Sequence, residues 1–405
     1  MEYQIYTLSN GLKLIHKHDA MPVTYCGMAI NAGSRDESDN EQGMAHFVEH
    51  LLFKGTKRRS SGQIINKLEN VGGELNAFTS KEETVVYAVV LSEHLEKAVD
   101  LIGDIVFNST FPAKELEKER IIILDEIQSY NDSPSELIYD EFEELIFDHP
   151  IGHNILGKPE LLEKYSSKDT KSFVDRYYQP EEMVFFVLGD VAEKKLLRWA
   201  EKYLVAPEKE TIHKNRVVPS AYLPQTRTLK KDTFQVHCLM GNRAQDIYHP
   251  DRMAMYLLNN ILGGPGMNSL LNLSLREKHG LVYNVDSVFQ PFTDTGMWTV
   301  YFGCDADNFN KCEKLVKQEL KKLREDKISE SALRKYKLQL LGQMAISMEQ
   351  KENLAMSLGK SMLRYEKVDS MEELREHILA VSAEKMQEVA QQVFNEDKLS
   401  VLKYI

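Results

Sequence analysis

The chain has 405 residues, enough for two or three domains, and its 42% hydrophobic content can fill sizeable cores. A formal net charge of −12 argues against nucleic-acid binding, which calls for a basic face. Four scattered cysteines, Cys26, Cys238, Cys304 and Cys312, form no CxxC pair; they read as reduced thiols, not as a disulfide frame or a cysteine zinc cluster.

Taken in order, residues 3–7 and 12–16 alternate around Ser9-Asn10-Gly11 and predict a hairpin. Residues 23–31 form a second strand-like run, closed by Ala32-Gly33-Ser34. A short helix over 44–52 follows, then another over 60–71 stopped by Gly72-Gly73. The β-branched run TVVYAVVL (84–91) predicts a buried strand. Helices are expected over 94–107, 113–130, 135–147 and 160–178, and a strand over 183–189. The charged stretch 206–232, with Pro207, Pro219 and Pro224, is the linker candidate. Beyond it come a strand (234–240), a helix (251–262), Gly-Gly, a helix (267–278), strands, long helices and a last strand (399–405). The opening MEYQIYTLSNGLKL has no charged-then-apolar leader pattern, and no run of about 18 apolar residues occurs, so the expected location is the cytoplasm.

The stretch GMAHFVEHLLFKGT (43–56) holds the first chemistry. On a helix, His46 and His50 point the same way and Glu49 sits one step round, while Met44, Phe47, Val48, Leu51 and Leu52 fall opposite. Two neutral imidazoles one turn apart can ligate one Zn²⁺, and Glu49 is close enough to take a proton from an activated water. A catalytic zinc also takes a third protein ligand and keeps one position open. Carboxylates and histidines elsewhere are the candidates. On the helix 113–130, Glu119 and Glu126 lie only about 20° apart on the helix wheel. They sit beside the apolar stripe of Leu116, Ile123 and Ile127, whereas Glu117 and Asp125 point away.

The element order repeats. Residues 44–51, Glu69-Asn70-Val71-Gly72 and Thr84-Val85-Val86-Tyr87 recur as residues 253–260, Glu277-Lys278-His279-Gly280 and Thr299-Val300-Tyr301-Phe302, at a near-constant offset of roughly 210 positions. The second copy has Met255, Leu258 and Asn259 where the first has His46, Glu49 and His50, so only the first copy can carry the metal chemistry.

These residues resemble the pitrilysin/insulinase family of zinc peptidases, called inverzincins because HxxEH reverses HExxH, and within it the mitochondrial processing peptidase β-subunit subgroup with its bacterial relatives. In that family the third ligand is a glutamate roughly 76 positions past the second histidine, which here is Glu126, with a supporting glutamate seven residues earlier, here Glu119. GGELNAFTSKEETVVYA (72–88), PIGHNILGKPELL (150–162) and LREKHGLVYNV (275–285) are also similar to family segments. The run Gly263-Gly264-Pro265-Gly266-Met267-Asn268-Ser269-Leu270 departs from the family's pattern through its proline and missing arginine.

The resemblance implies an α+β fold of two tandem homologous α/β units, each an antiparallel-rich sheet packed against helices, of the metallopeptidase LuxS/MPP-like kind. The first, 1–212, would hold one zinc ion; the second, 213–405, would hold no metal and contribute substrate contacts. It implies an endopeptidase acting on short or unfolded peptides in a closed chamber, with Asn76, Ala77 and Phe78 on an edge strand that receives the peptide. Glu49 would be the general base, Tyr283 would donate to the oxyanion, and Arg276 would hold a substrate carbonyl. Larger relatives contain four such units, so a homodimer is expected, or a heterodimer with an inactive relative. A non-catalytic or partner-dependent subunit of the same family, a zinc hydrolase of another substrate, and a peptide-binding module are the competing readings; the intact HxxEH set disfavours the first.

Overall fold

The computed structural model describes residues 3–206, 214 and 216–405. Residues 207–213 and 215 of the expected linker, and with them the expected boundary at 212, lie outside the described residues. Two compact units are present: Met1–Ile127, His153–Arg216 and Ser347–Val368 make one, and Gln128–Gly152, Val217–Ile346 and Asp369–Ile405 the other.

The first unit is built on β1 (Gln4–Thr7), β2 (Lys13–His18), β3 (Val23–Ile30), β4 (Glu74–Thr79), β5 (Thr84–Leu91) and β6 (Met183–Gly189). Their order is β1-β2-β6-β3-β5-β4, with β2 and β6 parallel and the other pairs antiparallel. The predicted hairpin is β1–β2, in register Gln4↔His16 to Thr7↔Lys13. Strand β6, MVFFVLG, is buried along its whole length, as expected for a continuous apolar run in the middle of a sheet. The second unit has β7 (Thr226–Leu229), β8 (Val236–Ala244), β9 (Val282–Pro291), β10 (Gly296–Cys304) and β11 (Ser400–Tyr404) in the order β7-β11-β8-β10-β9. Here β7 and β11 are parallel and the rest antiparallel. With β1 set aside, the two sheets have one topology: β2, β6, β3, β5 and β4 correspond to β7, β11, β8, β10 and β9. The repeat read from sequence is therefore present in three dimensions, and its third marker pairs β5 with β10.

Each sheet is covered on both faces, and one cover in each unit comes from the other half of the chain. On the first sheet, Leu354, Ala355, Leu358 and Met362 of the helix Lys351–Tyr365 bury against Ile15, Ala29, Val85, Val184, Phe186 and Leu188. A Cβ on Gly359 of that helix would stand 2.5 Å from the Phe186 ring, so only glycine allows this approach. On the second sheet, Ile138, Phe142, Leu145 and Ile146 of the helix Pro134–Ile146 bury against Leu239, Met297, Tyr301, Leu402 and Tyr404. The expected division into 1–212 and 213–405 is thus crossed twice, by two helices that occupy equivalent places in the repeat. On the opposite face of each sheet, Phe47, Val48, Ile102 and Phe185 belong to one core and Met255, Leu258, Trp298 and Phe394 to the other.

Two expected helices differ in form. The stretch 160–178 breaks into Pro159–Leu162 and Ser167–Tyr177, because Ser166 opens a new helix and its N–H donates to Asp169 Oδ2 at 2.9 Å. The stretch 267–278 is a π-helix only over Asn272–Glu277, with Lys278 N donating to Leu273 O at 3.0 Å; Pro265 and Gly266 precede it and Asn272 Nδ2 is tied to Met267 O at 2.6 Å. No described helix is long and apolar enough to cross a membrane.

Candidate metal centre

The motif helix, Met44–Leu51, begins at Gly43, whose φ of 90° and whose close approach to Leu156 O (2.6 Å from an added Cβ) exclude a side chain. Its first free N–H groups are not left bare. The buried Glu37 carboxylate accepts from Gly43 N at 2.9 Å and from Ala45 N at 2.7 Å. Burial raises the Glu37 carboxyl well above the ordinary glutamate range, against the pull of those two N–H groups. Met44, Phe47, Val48 and Leu51 are fully buried, as the helix wheel predicts. The opposite face is not a wet one, however. His46 is only 8% exposed and His50 and Glu49 are half-buried, because the helix Ala113–Asn131 carries Glu119 and Glu126 up to that face.

His46, His50 and Glu126 offer ligand atoms that all lie within 4.8 Å of one another. His46 Nε2 is 3.8 Å and His50 Nε2 3.7 Å from Glu126 Oε2. These separations are too long for direct hydrogen bonds. They suit a shared cation: ligands at about 2.0–2.2 Å in a tetrahedron stand roughly 3.4 Å apart. Two nitrogens and one carboxylate oxygen are also the donor set a catalytic zinc takes, with one position left over.

The second nitrogen of His50 is held. Nδ1 lies 3.1 Å from Glu119 Oε2, and Lys54 Nζ lies 2.8 Å from Glu119 Oε1. Glu119 is 4% exposed, and the lysine ammonium pairs with the carboxylate oxygen that does not face His50. A proton on Nδ1 facing that carboxylate leaves the lone pair on Nε2, which faces Glu126. His46 differs. Its Nδ1 is buried without a hydrogen-bond partner among the described residues. Burial, then the neighbouring His50, lowers its pKa to about 3, so its imidazole is neutral and free to ligate.

Glu49 does not share the group of three. Its Oε2 accepts from Thr79 Oγ1, on the last residue of β4, at 2.7 Å. Burial is the largest influence on its carboxyl and raises it above the usual range. Strand β4 is an edge: it pairs with β5 on one side, Asn76↔Tyr87, Ala77↔Val86 and Phe78↔Val85, and with no described strand on the other. Asn76 is exposed; Ala77 and Phe78 are half-buried. Arg276 and Tyr283 belong to the second unit, with the guanidinium carbon 5.7 Å from the tyrosine ring centre and Tyr283 85% exposed.

Sequence reasoning names the three donors, Glu49 and Glu119. It misses Lys54, Thr79 and Glu37. Lys54 stands four positions after His50, a spacing that could draw notice; Thr79 and Glu37 have no local signature, since their partners are far along the chain or are backbone groups.

Comparison with known proteins accords with this geometry. Residues 13–159 match the profile of "Insulinase (Peptidase family M16)", and residues 164–340 match that of "Peptidase M16 inactive domain". The chain is 32% identical over 397 residues to the "Uncharacterized zinc protease YmxG" of Bacillus subtilis, covering 97% of this chain and 96% of that one. It is 30% identical over 400 residues to the mitochondrial-processing peptidase subunit beta of Mus musculus, covering 96% of this chain and 81% of the relative. A protease from Helicobacter pylori has the same fold, with a TM-score of 0.93, 22% identity and coverage of 100% and 99% of the two chains. The HxxEH helix thus lies in the half that matches the insulinase profile, and its counterpart, with Met255, Leu258 and Asn259 at those places, in the half that matches the inactive domain: the chain belongs to the insulinase family of peptidases, family M16.

Proposed function

We propose that the protein is a zinc-dependent endopeptidase with one Zn²⁺ per chain, held by His46, His50 and Glu126. The observation that carries this reading is the set of three facing donor atoms, with His50 turned toward Glu126 by Glu119. Zinc there supplies Lewis-acid polarisation of a scissile carbonyl and acidifies water. Glu49 takes the proton of the attacking water and afterwards delivers it to the leaving amine. Glu119 and Lys54 hold the imidazole of His50 in place. The free edge of β4, at Asn76, Ala77 and Phe78, receives the peptide as an added strand, through main-chain hydrogen bonds that tolerate many sequences. We assign Tyr283 to the oxyanion and Arg276 to a substrate carbonyl, and short or unfolded peptides as substrates in a closed chamber.

A second copy of the chain is the partner we propose. The mouse relative is named a subunit, which supports a second reading in which a different chain completes the enzyme. The four cysteines are free and buried, which fits the reducing cytoplasm where we place the protein.

Metal analysis combined with digestion of a mixed quenched-peptide library tests the proposal. One zinc per chain and cleavage by the purified chain alone are expected. Zinc without cleavage, restored by a partner, would favour the second reading; no metal and no cleavage would overturn both.

A further inference from the structure

The turn between β4 and β5, Ser80-Lys81-Glu82-Glu83, is unlike an ordinary hairpin turn. Hairpin turns are wet, yet Lys81, Glu82 and Glu83 are all about 3% exposed or less. Each charge is met from a different part of the first unit. Lys81 Nζ donates to His153 O at 2.5 Å. Glu82 pairs with Arg35 at 2.6 Å, and Arg216 Nη2 donates to its carbonyl at 3.0 Å. Glu83 pairs with Lys360 at 2.7 Å and with Arg364 at 2.9 Å, both on the helix Lys351–Tyr365. The backbone is pinned as well, by Ser34 N to Ser80 O at 3.2 Å and Arg35 N to Lys81 O at 2.8 Å.

Buried ion pairs of this kind add little net stability over apolar packing, because desolvation offsets their attraction. What they do supply is a fixed position. The residue fixed next to them is Thr79, in register with Thr84 at the mouth of the turn, and its hydroxyl donates to Glu49. We propose that Thr79 is the positioning residue of Glu49, and that the Ser80–Glu83 turn, with Lys81, Glu82 and Glu83 buried and Glu83 clamped by Lys360 and Arg364, is what holds Thr79 in place. This rests on the endopeptidase reading above. It makes the site in the first unit depend on a helix from the far end of the chain.

The test uses the full chain, loaded with zinc, and the quenched peptide the wild type cleaves fastest. Thr79→Val removes the hydroxyl and keeps the shape. It is expected to lower kcat roughly tenfold or more, short of the roughly 10²–10⁴-fold that loss of the general base itself costs, with KM and zinc content unchanged. Thr79→Ser is expected to restore most of that loss. The triple variant Glu83→Gln, Lys360→Met, Arg364→Met removes the Glu83 carboxylate together with both cations that meet it, and is expected to fold, keep its zinc and lose kcat several-fold. A crystal structure of zinc-loaded Thr79→Val, which needs no turnover, is expected to show the Glu49 carboxylate moved.

Wild-type kcat in Thr79→Val, an unmoved Glu49, or no rescue by serine would overturn the role of Thr79; an unaltered kcat in the triple variant would overturn that of the turn. Glu49→Gln run in parallel separates the two proposals. If it stays active, the endopeptidase mechanism fails. If it is dead while Thr79→Val is not, only the positioning role fails.

Discussion

The two units have one topology and two chemistries. The motif helix Met44–Leu51 corresponds to the helix Arg252–Gly263, where Met255 and Leu258 are fully buried and Asn259 accepts from Ser287 Oγ at 2.7 Å. In the first unit these places hold His46, Glu49 and His50. The opposing helices diverge too. Counted from their first residues, Glu119 and Glu126 of Ala113–Asn131 correspond to Tyr336 and Gln343 of Glu330–Glu349. A metal centre needs donors on both helices at once, so loss of either set leaves a packing surface. The scaffold survives the exchange because its stability comes from apolar faces common to both units, while the donors contribute little to it.

Variants at the motif break the comparison most directly. Glu49→Gln should retain zinc and lower hydrolysis by roughly 10²–10⁴-fold or more, and His50→Ala should lose both metal and activity, read by metal analysis and peptide turnover. Full activity in Glu49→Gln would exclude the mechanism. Next come the exchanged helices. Phe142, fully buried on the second sheet, should cost about 3–5 kcal/mol when changed to Ala, visible as a lowered denaturation midpoint. A shift under about 1 kcal/mol would show that this helix does not hold its sheet. Glu119→Gln should weaken zinc binding by roughly 10–100-fold without abolishing it, because the charged acceptor of His50 Nδ1 is lost while the three donors remain; competition with a chelator measures this.

The remaining effect is on pH dependence. His46 has a folded pKa of about 3, below the ordinary value of 6.5. Between these values the unfolded chain binds the proton and the native state does not, so the zinc-free protein should lose stability as pH falls from about 6.5 toward about 3. That contribution is fully present above pH 6.5. His46→Met, which installs the second copy's residue, should flatten this limb in chelator-treated protein; an unchanged limb would exclude His46 as its source.

Much of this architecture is legible in the amino-acid sequence. The HxxEH spacing, the two glutamates about two turns apart on one helix, and the repeat of strand and helix markers are periodic features, and periodicity survives in one dimension. The strand β5 and the hairpin β1–β2 fall where the sequence places them, with nearly the same boundaries, because β-branched runs and Asn-Gly turns are local signals. The environment of His46 is not legible, for the opposite reason: the helix wheel shows which residues share a face, not what is brought against it. Thr79 lies out of view for the same cause.

The residues alone determined that one helix carries paired imidazoles with a carboxylate between them, that the chain repeats itself, and that the second copy lacks the donors. Those facts follow from side-chain chemistry and short-range geometry. Tertiary structure alone decided that His46 is buried against the facing helix, that Lys54 backs Glu119 beside His50, that the helices Pro134–Ile146 and Lys351–Tyr365 each cover the other half's sheet, and that a charged turn is buried beneath Glu49's hydrogen-bond partner. These arise from contacts between residues tens to hundreds of positions apart, formed when apolar surface is withdrawn from water, and no pattern within a short stretch of chain encodes them.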